Sequence, residues 1–104
     1  SKSKGNILDP IEIINKYGAV SKEVALEMAQ GIRKRMNVDI GLSTTGIAGP
    51  GGGSKDKPIG LVYIGLSTSN FEKVFKFNFS KNRKTNKIMT SQAALNILRN
   101  YLND

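Results

Sequence analysis

The sequence predicts an α/β domain in which helices pack on a mixed sheet. Two observations carry that expectation. Helical segments, marked by caps and a four-residue apolar recurrence, lie at both ends of the chain, and three short strand-like segments lie between them. Turn residues and one long glycine-rich stretch separate the strands. The resulting order is helix, helix, strand, strand, strand, helix.

Asp9-Pro10 is a helix start, with Asp9 as cap and Pro10 in the first helical position. The helix runs to about Lys16, and Tyr17-Gly18 ends it. Ser21 caps a second helix, whose first turn carries Glu23 at the positive end of the helix dipole. Val24, Met28, Ile32 and Met36 recur every fourth residue beside Ala25 and Ala29, which predicts a buried stripe on that helix. Residues 38–44 read as a short apolar strand. Residues 58–66 are apolar on both faces, which predicts a central strand. Residues 67–70 form a polar turn into a third strand, 71–79. There Phe75, Phe77 and Phe79 alternate with Lys76 and Asn78, so one face is wet. The short turn makes the last two strands an antiparallel hairpin. A final helix spans 84–102, with Ile88, Leu95, Leu98 and Leu102 as its expected buried side.

The bulk composition excludes much chemistry. At 104 residues the chain fits one domain. It holds no cysteine, so disulfides, thiolate metal sites and a cysteine nucleophile are excluded within it. It holds no histidine, which removes the histidine base and the usual zinc sites. No apolar run approaches the roughly 20 residues that cross a bilayer. The first residues, Ser1 to Gly5, lead into no secretory apolar segment, and the expected location is cytoplasmic. Sixteen Lys and Arg against eight Asp and Glu leave a net charge of +8. That charge fits a solvated basic surface, an anionic small ligand or nucleic acid. The cations are spread along the chain without the density of a nucleic-acid tail, which argues against the last.

The most informative stretch is Thr44-Thr45-Gly46-Ile47-Ala48-Gly49-Pro50-Gly51-Gly52-Gly53. Five glycines in residues 46–53 remove most Cβ atoms from the backbone between two strands. Such a loop lets a ligand approach its peptide N–H groups, which suits a phosphate or an oxyanion. The structural alternative is a plain connecting loop. The Walker pattern is not met, because Lys55 follows Ser54 and precedes Asp56. The dinucleotide pattern is not met either: no glycine triplet has its spacing, and a strand follows instead of a helix.

Two blocks give these residues a family context. Gly18-Ala19-Val20-Ser21, Glu23-Val24-Ala25 and Met28-Ala29-x-Gly31 form the first. Thr45-Gly46-Ile47-Ala48-Gly49-Pro50-x-Gly52-Gly53 with Lys57-Pro58-Ile59-Gly60 forms the second. In order and spacing both resemble the CinA C-terminal family. Phe79 to Arg83 with Lys87 resembles the family's later Phe-x-Gly-Asp-Arg-x-x-x-Arg region less closely. The resemblance implies a three-layer α/β/α fold with a mixed sheet, usually in a homo-oligomer. It implies hydrolysis of the carboxamide of nicotinamide mononucleotide to the nicotinic acid nucleotide and ammonia, with no metal or other cofactor.

The family's Glu-Ser-Cys-Thr-Gly-Gly motif, whose serine is the proposed nucleophile, does not occur in these 104 residues. The expectation is that it lies upstream, together with a Tyr-Ser-Asn-x-x-Lys motif, and that the chain alone is inactive. Lys4 is the match for the lysine of that second motif, with Lys2 as competitor. The resemblance makes Lys4 a base toward the serine, a pairing that works without histidine when the amine pKa is lowered. It makes Thr45 a holder of the substrate or of its reacting amide. The structural alternative for Thr45 is a strand residue whose hydroxyl satisfies a loop carbonyl. The loop, Gly46 to Gly53, and Arg83 bind the nucleotide in this reading, with the guanidinium clamping its phosphate. Lys87 is a second, weaker candidate, and Ser21 is a cap and not a nucleophile. A binding module without turnover and a nucleic-acid binder are the rival functions.

Overall fold

The computed structural model describes residues 10–47, 57–79 and 82–103. Lys4, the Asp9 cap and the loop residues Ala48, Gly49, Pro50, Gly51, Gly52 and Gly53 lie outside them. Six elements follow in the predicted order: α1 (Pro10–Tyr17), α2 (Lys22–Met36), β1 (Ile40–Gly46), β2 (Leu61–Thr68), β3 (Glu72–Asn78) and α3 (Arg83–Asn103). The strands form one sheet in the order β1-β2-β3, so the doubly apolar strand is central, as its composition predicts. Both pairings are antiparallel. A parallel pairing, which a mixed sheet also requires, is absent among the described residues.

The α2 ends are set by local chemistry. Ser21 Oγ accepts a hydrogen bond from Val24 N at 3.2 Å and donates to Gly18 O at 2.9 Å. At the other end Asn37 takes the left-handed conformation, with φ 52°. Val38 N then reaches back to Arg33 O at 3.1 Å, closing the helix in the manner of a Schellman turn.

Strand alternation sorts the sheet into two faces. Gly41 and Ser43 of β1 and Gly65 and Ser67 of β2 face α2. The even-numbered residues of these two strands face α3, where Val62, Ile64 and Leu66 bury against Ile97. Phe75, Phe77, Ala93, Ala94 and Tyr101 pack around that cluster, and the rings of Phe71 and Tyr101 stack at 5.8 Å. The chain is therefore layered, with α2 on one face of the sheet and α3 on the other.

Two predicted stripes are corrected by this packing. On α2 only Val24 of the expected row is buried; Met28, Ile32 and Met36 are exposed. The residues against the sheet are Ala25 and Ala29, both without accessible surface. The reason is steric. The facing positions are Gly41 and Gly65, and a Cβ on Gly65 would stand 2.5 Å from Ala25 O. A helix can approach that closely only on its small residues. On α3, Ile88, Leu95 and Leu102 are exposed and Leu98 is half-buried. Its buried residues are Asn86 and Ile97. The helix turns its alanines and Ile97 to the aromatic and β-branched sheet face, which supplies the bulk itself.

This packing predicts opposite outcomes for two glycine substitutions. Gly65→Ala forces Ala25 away from the sheet and should cost about 1–3 kcal/mol, lowering the melting temperature by about 5–15 °C. Gly31→Ala, in α2 with nothing within 4 Å of the added carbon, should stabilise the helix by about 0.5–1 kcal/mol. Thermal melts of both variants check the pair. Equal effects would refute the close-approach argument.

Candidate functional site

The glycine loop leaves the sheet at a braced point. Ile47 N donates to Leu61 O at 2.9 Å, and Gly60 N donates to Ile47 O at 2.9 Å. Phe79 N donates to Gly60 O at 2.8 Å, which ties the end of β3 to the same place. Gly60 holds φ 95°, a conformation that favours glycine. Arg83 opens α3 only four residues after Phe79. Asn82 starts that helix: its Oδ1 accepts from Thr85 N at 3.0 Å and its carbonyl accepts from Asn86 N at 2.9 Å. The hairpin and the cap together bring Arg83 to the loop end of the sheet.

There a cavity of about 460 Å³ opens between β1 and α3. Thr44, Thr45, Gly46, Ile47 and Val62 form its sheet side. Arg83, Asn86, Lys87 and Thr90 dominate its helix side. The volume suits a small organic ligand. Among the described residues its lining includes two cations, Arg83 and Lys87, and no carboxylate, a set suited to an anion. Four of the predicted site residues meet here: Thr45, Gly46, Ile47 and Arg83. A larger hollow of about 520 Å³ lies between α2 and β1. Met28, Ile32 and Leu42 make it apolar, and Arg35 is its one charged group among the described residues, so it offers little for catalysis.

Two predicted roles gain detail. Thr45 Oγ1 donates to Ala19 O at 2.9 Å, on the α2 side of the sheet. The hydroxyl thus satisfies a loop carbonyl, and what it can offer a ligand is acceptor capacity. Ile47 commits its N–H to Leu61, so it contributes wall and not an oxyanion donor. Thr44 lacked the motif support of Thr45, and Asn86 went unnoticed in the sequence. Thr44 could have been found by parity, because it shares the α3 face with Leu42. Asn86 carried no signal, since a buried polar residue breaks the apolar pattern and marks nothing else.

Lys57, at the far end of the loop, donates from Nζ to Tyr17 O at 2.8 Å, at the negative end of α1. Its contact with the α1 terminus is close enough that a Cβ on Gly18, at φ 88°, would stand 2.6 Å from Nζ. Ser21 has the cap's hydrogen bonds. Among the described residues no group of three or more His, Cys, Asp or Glu could hold a metal ion. No described helix is long and apolar enough to cross a membrane.

Comparison with known proteins gives one consistent result. The model of the CinA C-terminal domain family matches residues 2–102. A competence-damage inducible protein of Halothermothrix orenii is 54% identical over 90 residues, covering 86% of this chain. A CinA-like protein of Syntrophomonas wolfei is 52% identical over 91 residues, covering 88%. The chain spans only 22% of the length of each of these relatives. Among solved structures, the competence/damage inducible protein CihA of Agrobacterium tumefaciens superimposes with a TM-score of 0.83 at 36% identity. The match covers 89% of this chain and 57% of that one. The competence damage-inducible protein A of Klebsiella pneumoniae gives a TM-score of 0.83 at 28% identity, over 98% of this chain and 65% of that one. Both share the α/β fold described above.

The cap geometry yields a direct expectation. Ser21→Ala should lower stability by about 1 kcal/mol through loss of the Val24 N–H partner. Chemical denaturation checks it, and an unchanged midpoint would show that the cap contributes nothing.

Proposed function

The chain belongs to the CinA C-terminal domain family, and from that premise we propose that it forms the nucleotide-holding part of a nicotinamide mononucleotide amidohydrolase. The observation that supports this reading best is the cavity that gathers Thr45, Gly46 and Ile47 with Arg83 and Lys87 and, among the described residues, no acidic side chain. A mononucleotide has one strongly anionic end and a neutral or cationic ring, and the cavity is polar and cationic on its helix side. The guanidinium of Arg83 is suited to the phosphate, with Lys87 one turn further along the helix.

In this reading the reaction is amide hydrolysis through an acyl-enzyme. A serine hydroxyl attacks the carboxamide carbon and its proton passes by way of a lysine to the departing nitrogen, which leaves as ammonia. Water then cleaves the ester, giving the carboxylate and the free serine. The residues of this chain bind the nucleotide, orient its amide toward Thr45 and keep the phosphate fixed; Lys4 is the candidate proton carrier. The serine belongs to a motif that the 104 residues do not contain, so they should bind the nucleotide without turning it over.

The test has two parts. Titration calorimetry should show nicotinamide mononucleotide binding to the chain, weakened about tenfold or more by Arg83→Ala, the usual effect of losing a charged hydrogen-bond partner. Ammonia should be released only by a protein that also carries the Ser-Cys-Thr-Gly-Gly motif, and there Thr45→Val should lower turnover more than binding. Turnover by the repurified 104-residue chain would overturn the division of labour. Absence of nucleotide binding, or tight binding to nucleic acid that falls steeply with salt, would overturn the ligand.

A further inference from the structure

α3 has two apolar sides. One is the side where Ile97 and the alanines meet the sheet. The other faces away from it. Ile88, Leu95 and Leu102 recur at every seventh residue and are 53, 59 and 62% exposed. At about 100° per residue, Leu95 lies about 160° around the helix from Ile97. Residues seven apart drift by only about 20° on a straight helix, so the three form a row nearly parallel to the axis. That row is about 21 Å long. Leu98, half-buried, stands beside it. Packing on the sheet does not call for these side chains, because Phe75, Phe77 and the β2 residues fill that layer. Large apolar residues scattered singly over a surface are ordinary, but three in one register are a patch. Recurrence at an interval of seven is the pattern by which one helix docks along another.

The charges along the row say which kind of helix fits. Lys84 stands one turn before Ile88, and Arg99 one turn after Leu95. Of the 21 residues of α3, none is Asp or Glu. A second copy of this chain would set the same cations against them in either orientation, and each copy carries +8. The chain's other helices match no better: α1 holds a single acidic residue, Glu12, and α2 ends on Arg33, Lys34 and Arg35. A nucleic acid would use the cations and leave the leucines in water. A bilayer surface takes a broad apolar face, whereas Ser91 and Gln92 border this row and keep it narrow.

We propose that the outer side of α3 is a docking surface for an acidic amphipathic helix of a partner polypeptide. Its apolar anchors would lie on Ile88, Leu95 and Leu102, and its carboxylates would meet Lys84 and Arg99. None of these five residues lines the cavity between β1 and α3, so the proposal stands apart from the nucleotide reading.

Three fluorescent peptides of equal length test it by anisotropy titration of the 104-residue chain. The first has leucines in a heptad row with glutamates on both flanks, and the second has lysines on the flanks instead. The third scrambles the order of the first and keeps its charge. The first should bind at least about tenfold more tightly than either of the others. Leu95→Gln should weaken it about tenfold, with the melting temperature and the affinity for the scrambled peptide unchanged. Arg99→Glu should weaken it as well. Equal affinity for the ordered and scrambled acidic peptides would mean that diffuse charge alone draws them, and the proposal falls. It falls too if Leu95→Gln binds the first peptide as the parent does. A dimer of the chain that sediments intact and is lost in Leu95→Gln would assign the face to a second copy. Flotation with anionic lipid vesicles, lost in the same variant, would assign it to a membrane, and either result overturns the proposal. Ile88→Gln carries the comparison if Leu95→Gln does not fold. Failure of both to fold would show that the row is structural, which also overturns it.

Discussion

The structure depends on how closely α2 approaches the sheet. Gly41 and Gly65 stand diagonally on neighbouring strands, opposite Ser67 and Ser43, and face Ala29 and Ala25. With no Cβ on the strands and only methyl groups on the helix, the backbones come near enough for Ser43 Oγ to donate to Ala25 O. That bond satisfies the hydroxyl of a buried serine that would otherwise destabilise the interface. The approach also decides what α2 leaves outside. Its larger apolar side chains, Met28, Ile32 and Met36, cannot enter so narrow a gap and remain on the surface.

The same contact positions the site. The linker before α2 carries Ala19, whose carbonyl accepts the Thr45 hydroxyl. Moving α2 outward would carry that carbonyl with it and release the side chain at the root of the glycine loop. The Arg83 side of the cavity rests on different bonds, the Ile47, Leu61, Gly60 and Phe79 ladder and the Asn82 cap. Two neighbouring residues of β1 therefore answer to different layers. Thr45 is fixed by the α2 face, and Thr44 looks toward α3 across the cavity.

The elements were legible because each carries local chemistry. Ser21 and Asn37 bound α2, the double apolar face marks β2 as central, and the Phe–Lys alternation marks β3. The helix faces were not legible in the same way. A four-residue apolar recurrence says which residues could be buried, but α2 has two such rows, and the row of small residues won because the opposing surface is glycine. On α3 the same preference for large residues pointed to Ile88, Leu95 and Leu102, whereas the bulk comes from Phe75, Phe77 and the β2 side chains. In the site, Arg83 could be read because it matches the arginine of the family's later motif and follows the last strand. Asn86 could not, since its significance lies in being polar and buried together, and burial is a property of the packing.

The basic character of the chain takes on a more limited meaning in this light. A net charge of +8 raises the local concentration of any anion and speeds its arrival. It cannot choose among anions, because exposed cations separated by more than about 8–10 Å act as a screened, diffuse field at ordinary salt. Choice requires a site where few groups act at close range. Among the described residues the cavity is lined by two cationic side chains, Arg83 and Lys87, with neutral hydrogen-bonding groups and an apolar wall behind them. The diffuse charge therefore governs encounter, and discrimination requires groups that act at close range. The composition alone leaves a solvated basic surface, an anionic small ligand and nucleic acid open, and the spread of the cations along the chain argues against the last.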